Sequence, residues 1–162
     1  MMDSTVMFGM LLTIKTIVVY LILVLFLIDL AKADSYNKIA RIIKILLFPL
    51  LLLFNVHYKK INIGLLFAAL LINFISFYIL LPGYDLGTLV NFSIFQTAKM
   101  LIGLLKFVVI IGVVLSWFYA FGANFYNSAT SLIQEVYETT VSIFRNIIPP
   151  TAGFDLSPLI AF

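Results

Sequence analysis

The chain has 162 residues, of which 64% are hydrophobic and 10% charged, against about 45–50% and about 25% in soluble domains. Its mean hydropathy of +1.18 is more than so small a body can hide, because small domains bury only about 60–70% of their surface, so apolar side chains must face lipid. The net charge of +3 is spread over membrane-flanking positions, without the dense basic face that nucleic acid requires. The absence of cysteine excludes disulfides, thiolate catalysis, iron–sulfur ligation and cysteine zinc sites.

Met7 to Ile28 is apolar except for Lys15, and about 20 residues at 1.5 Å each cross a hydrocarbon core about 30 Å thick. This is the first expected span, with Lys15 near enough to its start to snorkel. Ala31-Lys32-Ala33 has the small-x-small pattern of a signal cleavage site, but the apolar run is longer than a signal core and no Lys or Arg precedes Lys15, so a span is preferred. From Asn37, Lys38, Arg41 and Lys44 recur every three residues among isoleucines, the period of a helix with one basic edge lying on the membrane surface. The run Ile45 to Val56 continues that helix and contains Pro49; at about 18 Å it is too short to cross. Ile61 to Leu81 forms the second expected span, ended by Pro82-Gly83. A third runs from about Met100 to Phe121, and Leu89 to Lys99 extends its helix, since no Pro or Gly interrupts it before Gly103. Beyond Gly122, the stripe Leu132, Ile133, Val136, Tyr137, Val141, Phe144, Ile147 and Ile148 marks a second amphipathic helix, stopped by Pro149-Pro150. Ser157-Pro158 then announces a further helix.

Sliding the sequence by 90 residues lays the first span over the third. Val18-Val19 meet Val108-Val109, and Tyr36-Asn37 meet Tyr126-Asn127. The tyrosines, with Trp117, are read as interfacial anchors, and the asparagines as caps of the helices that follow. The expected fold is therefore all-α and membrane-embedded, as a single domain of two tandem same-orientation repeats, residues 7–81 and 89–162. Each repeat holds a span, a surface helix and a returning span, the last one truncated. Lys32, Lys38, Arg41, Lys44, Lys59 and Lys60 all lie between spans one and two, which puts that connection on the cytoplasmic side and the N-terminus outside. Parallel repeats also differ from the inverted repeats of many transporters.

Little here can carry chemistry. His57 is the only histidine and makes no metal site by itself, no nucleotide, zincin or hydrolase motif is present, and no cofactor is expected. Asn73, Ser76, Gln96, Lys99, Lys106 and Ser116 are the polar groups in or near spans, for which helix-to-helix hydrogen bonds and snorkelling are the ordinary roles. The sharpest local feature is the string from Phe144 to Pro158, with Arg145, Pro149, Pro150, Gly153, Asp155, Ser157 and Pro158. It describes a helix stop, a glycine turn and a restart, with Arg145 and Asp155 expected to pair across the turn.

That string resembles the YggT family of bacterial membrane proteins, called YlmG in other lineages, whose hallmark is an arginine, I/L-P-P, a glycine and D-L-S-P. Tyr36-Asn37 after the first span and Ser116-Trp117 near the end of the third extend the resemblance. The first repeat lacks the string, offering only Lys44 and Pro49. The resemblance implies a non-enzymatic protein of the bacterial cytoplasmic membrane, linked in that family to osmotic stress and potassium uptake, and in its relatives to cell division, nucleoid placement and plastid cytochrome assembly. Two functions follow as expectations: a scaffold or assembly factor for membrane complexes, working through its surface helices, or an oligomeric ion-uptake protein. The expected partners are the bilayer, other membrane proteins and further copies of the chain.

Overall fold

Lipid offers backbone N–H and C=O groups no partners, so an apolar chain of this composition must satisfy them within helices. In the computed structural model, which describes residues 4–32, 37–59, 61–122 and 126–145, helices dominate. They are α1 (Ser4–Leu30), α2 (Lys38–Leu46), α3 (Phe48–Phe54), α4 (Ile63–Leu80), α5 (Leu86–Ala120) and α6 (Ser128–Arg145). Three are long and apolar enough to cross a membrane: Phe8–Leu30, Ile63–Leu80 and Leu86–Tyr119.

Three boundaries depart from the sequence expectation. Ile45 to Val56 is not one continuation of the preceding helix, because α2 ends at Leu46 and the chain breaks at Leu47 and restarts as α3, with Pro49 in its first turn where a missing N–H costs nothing. The second span starts at Ile63, since Ile61–Asn62 forms a strand, β2, antiparallel to β1 (His57–Tyr58), with His57 opposite Asn62 and Tyr58 opposite Ile61. This short hairpin is the one departure from an all-helical chain among the described residues. The third apolar helix begins at Leu86 and runs unbroken for 35 residues, about 52 Å, so it is much longer than the hydrocarbon is thick.

The chain forms two compact units. The first comprises residues 1–26 and 47–101, the second residues 27–46 and 102–162. In the first, α3 packs on α4 and the hairpin adjoins the start of α4. Gly64 permits this, as its Cα lies so close to the Phe54 carbonyl that a side chain there would collide with it. Ala68 and Ala69, both fully buried, continue the small-residue face of α4, the usual means by which membrane helices approach closely. In the second unit α2 packs on α6, whose buried face is Leu132, Val136, Tyr137 and Val141. The Tyr137 ring lies against Gly112 of α5, where a Cβ would not fit. Phe92, Phe95, Ile102, Phe107, Ile110, Val114 and Phe118 of α5 remain exposed, as expected of a surface wetted by lipid.

The start of α5 is held by Asp85. Its carboxylate accepts the Thr88 hydroxyl at 2.6 Å and the Thr88 N–H at 2.9 Å, satisfying donors that the helix itself leaves free and complementing the positive end of its dipole. These bonds, the hydroxyl first and the amide second, lower the carboxyl below its ordinary value of 3.8. A lowered value means that the folded state favours the charged form, so the cap is complete above pH 3.8 and is lost as the pH falls through the lowered value. Replacing Thr88 by Val should raise the Asp85 titration midpoint in carboxyl-detected NMR; an unchanged midpoint would show that the hydroxyl does not set it.

Candidate functional site

A polar side chain inside a span is costly unless partnered, which makes the described spans' polar groups the first place to look. Asn73 of α4 is completely buried. Its carbonyl accepts from the Lys15 ammonium of α1 at 3.1 Å, and its amide donates to the Thr97 hydroxyl of α5 at 3.0 Å. The Thr97 hydroxyl donates in turn to the Ser93 carbonyl at 2.8 Å, and the Ser93 hydroxyl to the Leu89 carbonyl at 2.7 Å. One asparagine thus ties three apolar helices within the first unit, and every donor points the same way, from lysine to asparagine to threonine to backbone. The Phe77 ring, 5.8 Å from the Lys15 nitrogen, adds a cation–π contact.

Lys15 therefore bonds across helices and does not simply reach for the headgroups. Thr97 and Ser93 escaped the sequence reading although a signal was there: Leu89, Ser93, Thr97 and Met100, spaced by four, four and three, are all buried and make one stripe of α5. The other polar span residues do not join. Ser76 bonds the Ile72 carbonyl of its own helix, Gln96 is half-buried, and Lys99, Lys106 and Ser116 are exposed.

A second constellation forms in the other unit. The Asn37 carbonyl oxygen accepts from the N–H groups of Ile39 (3.0 Å) and Ala40 (3.3 Å), capping α2, while its amide donates to the Ser128 carbonyl at 2.7 Å. One buried side chain joins the heads of α2 and α6. Asn127 caps α6 in the same manner, accepting from Ala129 and Thr130 at 2.8 and 3.0 Å, and its own N–H donates to the Thr130 hydroxyl at 2.9 Å. Tyr126 and Trp117 are 80% and 64% exposed, free to meet an interface. Tyr36, Pro149, Pro150, Gly153, Asp155, Ser157 and Pro158 lie outside the described residues, as does the side chain of Arg145, and with them the expected pairing across the turn. His57 sits exposed in β1, and among the described residues no cluster of His, Asp or Glu could hold a metal.

Asn37 allows its two roles to be separated. Asn37→Asp retains the acceptor for Ile39 and Ala40 but loses the donor to Ser128, whereas Asn37→Ala loses both and forgoes about 1 kcal/mol of capping. Amide exchange should accelerate at residues 39–41 only in the alanine variant and at the head of α6 in both. Equal exchange at the head of α6 in all three proteins would show that the Ser128 bond joins nothing.

Among known proteins, the family model described as CCB3/YggT matches residues 91–162, a stretch that takes in most of α5, all of α6 and the string ending at Pro158. The chain is also similar to a protein of Pseudomonas aeruginosa named Uncharacterized protein PA0392, with 29% identity over 160 residues, covering 93% of this chain and 79% of that protein. No solved structure matches. The string that carried the resemblance falls within the matched stretch, so residues 91–162 are similar to the CCB3/YggT family over the segment that holds it.

Proposed function

We propose that this is a non-catalytic accessory protein of the bacterial cytoplasmic membrane, whose spans hold the helix pair α2 and α6 at the cytoplasmic face, where it gathers other membrane proteins. The observation that carries this reading is the double engagement of Asn37, which fixes α2 to α6 by their heads. Such a lock leaves a defined outer face on α2, with Ile42 and Ile45 63% and 67% exposed beside the exposed Lys38 and Arg41. An apolar stripe with a basic edge fits both a lipid surface and an amphipathic partner helix. The preponderance of Lys and Arg between the first two spans supports the cytoplasmic placement, and matching asparagine caps at positions 37 and 127 support two tandem repeats. A single histidine and no cysteine support a role without catalysis.

Ion uptake is the weaker reading. A potassium path needs carbonyls or carboxylates facing the ion, whereas the buried polar cluster of the first unit ends in an ammonium, which repels a cation.

The test is recovery of partners by cross-linking in native membranes. Ile42→Ser with Ile45→Ser should cut the yield of cross-linked partners severalfold while the protein still inserts. An undiminished set of partners would reject the scaffold reading.

A further inference from the structure

The Lys15 ammonium has three N–H donors, and Asn73 takes one of them. Among the described residues no carboxylate faces it; its other contact is the Phe77 ring. A neutral amide and a ring face leave the positive charge uncompensated in the apolar layer, where an unpaired charge is expensive. The described cluster does not relieve this, because the Asn73 amide is committed to Thr97 and Thr97 to Ser93. None of the described residues supplies the counter-charge, which leaves the position open to an anion.

The surroundings leave it an approach. Val6, Phe8, Met10, Leu11, Ile14 and Ile17 of α1 are all exposed, and burial begins only at Val19. Lys15 itself is half-exposed. It lies two helical turns inside the start of its span at Phe8, about 10 Å along the axis, and the same distance separates Asn73 from the end of α4 at Leu80. Both partners are thus at one depth below one membrane face, within the range where lysines snorkel and headgroups are drawn inward.

We infer that Lys15, positioned by Asn73, is a binding site for a phosphate oxyanion, of the kind carried by an anionic phospholipid, on the membrane side where α1 begins. Two ammonium N–H groups are left to bind the oxyanion, and the bond to Asn73 holds the nitrogen in place. The site accounts for a lysine that no described acid neutralises.

The test uses the full chain in neutral detergent, reading its thermal midpoint and its bound lipid by native mass spectrometry. Phosphatidylglycerol should raise the midpoint and remain bound at least about tenfold more than phosphatidylcholine. Lys15→Gln should abolish that preference, Lys15→Arg should keep it, and the exposed Lys99→Gln should not alter it. Asn73→Asp supplies an internal counter-ion and should remove the preference with Lys15 still present, an outcome that a purely structural lysine would not produce. Stabilisation by inorganic phosphate alone, lost in Lys15→Gln, would identify free phosphate as the source of the oxyanion in place of lipid. A preference for phosphatidylglycerol that survives in Lys15→Gln, or a wild type that responds to neither probe, would overturn the proposal.

Discussion

Inside a hydrocarbon layer a backbone or amide group must find its partner within the protein, and this requirement shapes the chain more than apolar burial does. Lipid is as apolar as leucine, so the long exposed faces of α5 cost nothing there and exert no pull between helices. What can hold membrane helices in register is close backbone approach and a few internal hydrogen bonds. Both are present: Gly64, Ala68 and Ala69 make α4 thin, and Asn73 reaches from it to α1 and α5 at once. Such bonds are worth about 0.6 kcal/mol on average and up to about 1.7 kcal/mol, so two of them on a single side chain favour one register over its neighbours without making the bundle rigid.

The second unit obeys the same constraint at its helix ends. Helix termini there leave N–H groups free, and asparagine answers them at both α2 and α6. Asn37 goes further, since its remaining amide bridges to Ser128 and converts a cap into a joint. The Tyr137 ring on Gly112 then seats α6 against α5. A helix pair held by its heads and by one aromatic contact leaves Ile42 and Ile45 of α2 exposed, the feature on which the proposed recruiting role depends.

Much of this was legible because it rests on length and apolarity. The three long helices follow from runs that only a bilayer would tolerate, and the arginine-to-Ser-Pro string identified the family to which the second half of the chain is matched. The break at Leu47 was not legible: an unbroken run of apolar residues from Ile45 hides it, and Pro49 signals a first helical turn as readily as a kink. The hairpin at 57–62 escaped because two-residue strands have no periodicity to detect. The Lys15–Asn73 bond was hidden for a different reason. Snorkelling is a property of one helix and can be read along it, whereas the bond to Asn73 joins residues 58 apart and exists only once α1 and α4 are packed.

Three crossings are the claim on which everything else stands, and the absence of native cysteine makes it directly measurable. Single cysteines at Arg41, Gly83 and Tyr126, probed with an impermeant thiol reagent in oriented vesicles, should report positions 41 and 126 on one side and position 83 on the other. Labelling of 41 and 83 from the same side would mean that α4 does not cross, and the account would not stand.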